Sequence, residues 1–260
     1  MGRHRFYAPP TCIVTSTVTL PREETHHLAQ VLRLESGDEV YVFDGCGREY
    51  LCRVERTDGG MAHLQILETL LDRVESPLQL TLAQGLMKGE RFDSTVQKAT
   101  ELGVTRIIPL STKHSVVRLS TRQSDERVAR WRRISLESLK QCGRRTLVEI
   151  APITRLGDFL GSPADQSAAV LVFSERGGIP LSSTLAGIGQ PSTVIAVIGP
   201  EGGWSTDELT SMAKRGWSAV TLGPRVLRAE TAPVVVLTLL QHALGDLSIQ
   251  ESRDWGGPAG

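Results

Sequence analysis

The chain contains 260 residues, of which 40% are hydrophobic and 22% are charged, and its formal net charge is zero. This composition allows a packed core in one large or two smaller domains and argues against wholesale disorder. No apolar run approaches the roughly 18 residues of a membrane-spanning helix. The basic start leads into no apolar stretch, which argues against a secretory signal. The four cysteines form no CxxC pair. We therefore expect a cytoplasmic protein with free thiols, no membrane segment and no metal site.

Residues 1–75 have the pattern of a small β domain. Short β-branched or alternating segments at Glu39–Phe43, 49–56 and 62–67 are separated by glycine-containing turns, and one short helix is predicted at 23–32. Several short strands in so few residues predict a small β-barrel.

Residues 76–247 have a different pattern, in which apolar strands alternate with helices. Strands are predicted at Ala169–Phe173, Thr193–Ile198 and 219–222, and helices at 206–215 and Thr231–Leu244. A further long helix is predicted to be capped by Ser124. Short strands that are apolar throughout are typical of a parallel sheet covered on both faces, so this part is predicted to be an α/β domain. Residues 248–260 are expected to be a disordered tail.

Positive charge is concentrated between Lys113 and Arg145, where ten Lys or Arg stand against three Asp or Glu, a local excess of +7. In a neutral chain such a block favours a surface that faces phosphates. The alternative is an ordinary solvated helix face.

A glycine-rich loop, Gly199-Pro200-Glu201-Gly202-Gly203, follows a predicted buried strand and precedes a helix that Ser205 and Glu208 can cap. Glycines let the backbone approach a ligand closely, and ligands of α/β sheets gather at the carboxyl ends of strands. A tight turn of purely structural importance explains this loop equally well.

A second loop, at residues 222–233, also follows a strand and carries Arg225, Arg228 and Glu230. Charged groups in an apolar neighbourhood need partners, because burying them unpaired is costly. Either Arg228 pairs with Glu230, or these side chains hold a polar substrate. Other fingerprints, such as GxGxxG, GxxxxGK[ST] and GxSxG, are absent from the sequence.

These loops resemble those of the SPOUT class of methyltransferases, and the match extends to the bacterial RsmE family, which methylates N3 of a uridine in small-subunit (16S) ribosomal RNA. The segments that carry the resemblance are 3–7, 27–33, 87–93, 97–103, 141–145, 199–203 and 222–233. Two departures are visible. Trp204 stands where phenylalanine is commoner, and Lys113-His114 stands where Glu-Arg is commoner, which leaves the role of this pair open.

The resemblance implies a PUA-like RNA-binding barrel at 1–75 and a SPOUT domain at 76–247 with a deep trefoil knot. It also implies a homodimer, S-adenosylmethionine as cofactor, and 16S ribosomal RNA or the small ribosomal subunit as partner. The implied cofactor-binding residues are Phe173, Glu175, Gly199, Pro200, Glu201, Gly202, Leu222, Gly223, Val226, Leu227 and Ala229. Glu201 has an equally good alternative role in shaping its own loop.

In this reaction the nucleophile is the group that must be activated, because a uridine N3 is poorly nucleophilic until it loses its proton. The sulfonium methyl is already electrophilic and needs no metal. We expect Arg228 to stabilise the developing negative charge, with Arg225 as second candidate, and Glu230 to orient an arginine or accept the proton. The expected RNA-backbone contacts are Arg3, Arg5, Lys88, Arg144 and Arg145.

Two other functions fit the same sequence. One is ribose 2′-O-methylation, which other SPOUT enzymes perform. The other is a non-catalytic RNA-binding factor in ribosome assembly, which would bind RNA but not the cofactor.

Overall fold

A computed structural model describes residues 4–70, 75–115, 120–162 and 167–247, and within them two sheets. The predicted tail at 248–260 and the predicted RNA contact Arg3 lie outside these ranges. The first sheet has the order β1-β4-β5-β6-β3-β2, in which β1 runs parallel to β4 and the other pairs are antiparallel. Its strands are β1 (Arg5–Tyr7), β2 (Ile13–Val14), β3 (Thr17–Thr19), β4 (Glu39–Phe43), β5 (Glu49–Asp58) and β6 (Met61–Leu70).

A small hydrophobic core belongs to this first sheet and includes Phe6, Leu20, Leu28, Val42 and Leu64, all fully buried. Leu28 lies on a π-helical turn (His27–Val31) that continues helix α1 (Arg22–His26), and a 3₁₀ turn occupies Pro10–Cys12. The three strands and the helix predicted for this region are therefore confirmed, with the ends shifted by a few residues. Strands β1, β2 and β3 were not predicted.

The second sheet has the order β10-β8-β7-β13-β11-β14-β12, with β9 beside β8, and each of its described pairings is parallel. This confirms the predicted α/β domain with a parallel sheet. The strands are β7 (Gln79–Gly85), β8 (Arg106–Ser111), β9 (Glu149–Ile150), β10 (Thr154–Arg155), β11 (Ala169–Phe173), β12 (Ile179–Pro180), β13 (Thr193–Ile198) and β14 (Ser218–Thr221). The helices are α2 (Arg91–Glu101), α3 (Thr121–Cys142), α4 (Leu156–Gly161), α5 (Leu181–Ile188), α6 (Thr206–Lys214) and α7 (Thr231–Leu244).

Both faces of the second sheet are covered, and β13 shows why its sequence is apolar throughout. Val194, Ala196 and Ile198 join the core that holds α2, α3 and α7, whereas Val197 joins the core on the side of α4 and α6. Side chains of a strand alternate between faces, so a strand buried on both faces needs apolar residues at every position.

Helix α3 begins one turn before the predicted position, which makes the predicted cap at Ser124 wrong. Ser120 is the N-cap, because its Oγ accepts from the Gln123 backbone N–H and the Gln123 side chain reaches back to Ser120. Two serines four residues apart both fit a capping pattern, and only Ser120 has glutamine at the third following position.

Arg5, predicted to contact RNA, instead joins β1 to the C-terminus of α3 from a buried position. Its Nε donates to a Glu49 carboxylate oxygen at 2.6 Å, and its other nitrogens donate to four backbone carbonyls around the C-terminus of α3. The guanidinium is thus satisfied by protein groups, and only 7% of the side chain is exposed. The prediction of an RNA contact is wrong, because this side chain cannot reach a phosphate without leaving its carbonyls.

Arg144 and Arg145 require the same correction. Both side chains are buried, since that of Arg144 is 6% exposed and that of Arg145 is 4% exposed. Arg144 pairs with Glu75 and donates to the carbonyls of Thr100 and Val104, and Arg145 pairs with Glu49. The block between 113 and 145 is therefore not one phosphate-facing surface. Arg145 joins the segment after α3 to β5 at the junction between the two units, and Arg144 is held by Glu75 and two carbonyls. Arg130 pairs with Asp93 from elsewhere in the chain.

Candidate functional site

A cleft of about 540 Å³ opens where β11, β13 and β14 end. The carboxyl ends of adjacent parallel strands meet at one sheet edge, so three chain segments far apart in sequence converge here. The lining contains all eleven residues predicted to bind a cofactor and all three predicted catalytic residues. Arg91, Ser174, Ile198, Gly203, Val220, Thr221 and Ala232 complete it. The structure thus brings the predicted groups together around one cavity, while their individual roles stay predictions.

The glycine-rich loop is held in shape by its own backbone. The Gly203 N–H donates to the Pro200 carbonyl at 2.9 Å, and Gly203 has a φ of 65°, in the left-handed region that favours glycine. A Cβ at Gly203 would also collide with the Glu175 carboxylate. Any side chain at 203 would therefore strain the backbone and require the Glu175 side chain to move.

Trp204 connects this loop to the neighbouring strand. Its indole Nε1–H donates to the Phe173 carbonyl at 2.9 Å, and the residue is 1% exposed. A phenylalanine, which the family resemblance leads one to expect here, has no such donor. The substitution in this chain therefore adds a hydrogen bond between the loops after β11 and β13.

Glu201 points toward the start of α2 and contacts protein groups. Its Oε1 accepts from the Lys88 backbone N–H at 3.0 Å and pairs with the Arg91 guanidinium at 3.1 Å. These contacts favour the loop-shaping alternative over direct cofactor binding. Sequence reasoning missed Arg91, although the segment 87–93 carried part of the resemblance. Lys88, predicted to contact RNA, is exposed beside it.

The second loop presents positive charge to the cleft. Arg225 and Arg228 are exposed and Glu230 is partly buried. No salt bridge of these three residues occurs within the described ranges. Arg228 and Glu230 thus do not form the salt bridge that the sequence left as an alternative. The two guanidinium groups are available for an anionic or electron-rich ligand.

The described ranges contain no group of three His, Cys, Asp or Glu side chains placed to hold a metal ion. They also contain no helix whose length and apolar character would let it cross a membrane.

Comparisons with known proteins identify the family of the chain. Residues 74–241 match the family described as RNA methyltransferase domain, and residues 20–67 match the RNA methyltransferase PUA domain. Over 242 residues the chain is 34% identical to ribosomal RNA small subunit methyltransferase E of Synechocystis sp., covering 93% of this chain and 78% of that protein.

Solved structures lead to the same family. Ribosomal RNA small subunit methyltransferase E from Neisseria gonorrhoeae, bound to S-adenosyl methionine, superposes with a TM-score of 0.86 at 34% identity, over 95% of this chain and 100% of that one. A methyltransferase from Legionella pneumophila, in complex with the bound cofactor SAM, superposes with a TM-score of 0.87 at 32% sequence identity. The match again covers 95% of this chain and 100% of that one. The chain therefore belongs to the ribosomal RNA small subunit methyltransferase E family, which the resemblance of its motifs predicted.

Proposed function

We propose that this protein transfers the methyl group of S-adenosylmethionine to N3 of a specific uridine in 16S ribosomal RNA. The observation that carries the proposal is one cleft in which glycine backbone from one loop faces Arg225 and Arg228 from another, neither of which forms a salt bridge with a described residue. The relatives named above as small-subunit ribosomal RNA methyltransferases, one of them bound to the cofactor, support the same activity.

The cleft suits S-adenosylmethionine in size and chemistry. Its volume of about 540 Å³ lies within the roughly 300–1,000 Å³ of small-molecule sites. Backbone groups can surround the adenosine and methionine parts of the cofactor, and the loops after β13 and β14 supply most of them. The residues proposed to hold it are Phe173, Glu175, Gly199, Pro200, Gly202, Leu222, Gly223, Val226, Leu227 and Ala229. When bound, the cofactor supplies a methyl group that is already electrophilic.

The protein's own task is to make the uridine nucleophilic and hold it in line. Arg228 is placed to stabilise the anion that forms as N3 loses its proton, and Arg225 is the second candidate for this role. Glu230 precedes α7 and can orient an arginine or accept the proton. Because N3 lies on the Watson–Crick edge, the target base must be unpaired or turned out of its helix.

RNA contact is proposed at the rim of the cleft and on the N-terminal unit. Lys88 and Arg91 lie at the rim beside the glycine-rich loop and can meet phosphates. The N-terminal residues 1–75 are proposed as the PUA-like RNA-binding barrel and 76–247 as the SPOUT domain. Support for this division is that the first sheet ends at Leu70 and the second begins at Gln79.

Three further properties belong to the proposal: a trefoil knot around the cleft, a homodimer and a cytoplasmic location. For the dimer, support comes from Val226, an apolar side chain of the cleft lining that is 74% exposed. Contact with a second copy of the chain would bury it.

The test is methyl transfer to ribosomal RNA by the wild type, Arg228→Ala and Arg215→Ala. Arg215 is an exposed arginine outside the cleft, at the end of α6, and serves as the matched control. We expect Arg228→Ala to lower kcat by roughly 10²–10³-fold, the usual loss for one charge-stabilising group, with cofactor affinity retained. Arg215→Ala should keep full activity. Equal kcat in all three proteins would remove Arg228 from its role.

Mass spectrometry of the modified RNA separates the alternatives. Methyl on the uracil base at N3 supports the proposal, and methyl on the ribose would instead identify a 2′-O-methyltransferase. A protein that binds ribosomal RNA but gives no heat with S-adenosylmethionine in calorimetry would be a non-catalytic assembly factor.

A further inference from the structure

A short turn at residues 112–115, directly after β8, packs against the glycine-rich loop. The turn is closed by its own hydrogen bonds. The Ser115 N–H donates to the Thr112 carbonyl at 3.2 Å, and the Thr112 N–H donates to the Ser115 Oγ at 3.1 Å. This turn contains the Lys113-His114 pair, whose role the family resemblance leaves open.

His114 contacts the backbone of the glycine-rich loop directly. Its Nδ1 lies 3.0 Å from the Gly202 carbonyl oxygen and 3.2 Å from the Gly203 carbonyl oxygen. Carbonyl oxygens only accept hydrogen bonds, so Nδ1 must carry the proton and donate to both. The close approach also requires glycine at 202, because a Cβ there would lie 2.8 Å from the His114 Cβ.

The hydrogen bonds from His114 restrain the peptide group between Gly202 and Gly203, which is also restrained by a hydrogen bond within the loop. The Gly202 carbonyl and the Gly203 N–H belong to one planar peptide group. His114 donates to the carbonyl, while the N–H donates to Pro200. A glycine pair has no side chains of its own to limit its conformation, so its orientation depends on such outside contacts.

The turn that carries His114 is itself tied to α6. The Lys113 N–H donates to the Glu208 Oε1 at 2.8 Å, and the Glu208 Oε2 accepts from the Ser205 N–H at 2.8 Å. Glu208 is thus shared between the cap of α6 and the turn. The backbone that carries His114 is therefore held in place relative to α6 and the glycine-rich loop.

We propose that His114 is a positioning residue that holds the Gly202–Gly203 backbone in the arrangement that receives the cofactor. It does so through the donor at Nδ1 and touches neither of the reacting groups. The inference rests on the proposed function, in which this cleft holds S-adenosylmethionine. Since the loop is ordered before the ligand arrives, loss of the donor weakens cofactor binding rather than the chemical step.

The experiment compares the wild type, His114→Phe and His114→Asn. Phenylalanine keeps a ring of similar size but has no donor, and the asparagine side-chain NH₂ occupies a position close to that of Nδ1. Titration calorimetry with S-adenosylmethionine, without RNA, measures Kd. Steady-state methyl transfer measures KM for the cofactor and kcat at saturation.

We expect His114→Phe to raise Kd and KM about tenfold, the effect of one lost hydrogen bond of ordinary strength, while kcat changes by less than about twofold. His114→Asn should restore binding to within about threefold of the wild type. Equal Kd for the wild type and His114→Phe would overturn the inference and leave the proposed site intact. A fall in kcat with unchanged KM, or no rescue by asparagine, would also overturn it. A wild-type protein that does not bind the cofactor would overturn the proposed function with it.

Discussion

Arg145 and Glu49 form a salt bridge at 3.0 Å, and their side chains are only 4% and 5% exposed. The pair joins β5 of the first sheet to the segment that follows α3. The other Glu49 oxygen accepts from Arg5 at 2.6 Å, so one buried carboxylate pairs with two buried guanidinium groups. This cluster fixes the first sheet to the methyltransferase domain at a point away from solvent.

Glu49→Gln should destabilise the protein strongly, because it removes the charge of the buried carboxylate that pairs with both Arg5 and Arg145. Removal of one partner from a buried pair typically costs about 3–5 kcal/mol. Urea unfolding followed by circular dichroism measures the change in the free energy of unfolding.

Glu39→Gln is the matched control for this experiment. Glu39 pairs with Arg53 at 2.9 Å, but both side chains are 48% exposed. An exposed pair contributes less than about 1 kcal/mol, so this variant should unfold almost as the wild type does. Equal losses for the two variants would contradict the assignment of Glu49 to a structural centre.

Local pattern in the sequence was enough to predict the elements around the site. β11, β13 and α7 have the predicted ends, because an apolar run between turns and an apolar face at helical spacing are decided by neighbours within a few residues. The convergence of the two loops was also predictable, since parallel strands place their carboxyl ends at one edge.

The roles of the arginines were not predictable in the same way. Arg145 contacts Glu49 across 96 residues of sequence, and Arg5 contacts backbone carbonyls more than 130 residues away. A single sequence does not show which acids meet which bases across such separations, so a run of positive charge looks like an RNA surface whether or not it is buried. The His114 contact was missed for the same reason, since it joins residues 88 apart.

RNA binding should therefore depend on Lys88, which lies exposed at the rim of the cleft, and not on the buried arginines. Lys88→Ala should weaken binding to ribosomal RNA at low salt and reduce the slope of log K against log salt by roughly one phosphate contact, about 0.7–0.9. Filter binding at several salt concentrations gives both quantities.

Lys214→Ala serves as the control for Lys88, because Lys214 is an equally exposed lysine at the end of α6 and does not line the cleft. It should leave both affinity and slope unchanged. The same loss of slope in both variants would mean that RNA is held by diffuse charge and not at the rim.

Lys140 on α3 makes the stability of the junction dependent on pH. Its ammonium donates to Glu24 at 2.5 Å and to Glu137 at 2.9 Å. Burial lowers the pKa of Lys140, but the hydrogen bonds to Glu137 and Glu24 outweigh it, so the pKa is raised above its ordinary 10.5. A group whose folded pKa is raised contributes stability that is fully present below the unfolded pKa and is lost as pH rises through the folded value. The difference in unfolding free energy between the wild type and Lys140→Met should thus be constant up to about pH 10 and shrink above it.

Lys98→Met is the control. It tests whether the decrease in the unfolding free-energy difference above about pH 10 is specific to Lys140 or occurs for any lysine. Lys98 is exposed on α2, and no carboxylate within the described ranges pairs with it. The difference between its variant and the wild type should not change with pH as that of Lys140→Met does, because the variant removes no ion pair of the described residues. A gap for Lys140→Met that stays constant to about pH 11.5 would mean that its ammonium gains nothing from Glu24 and Glu137, since linkage requires the gap to close as the proton is lost.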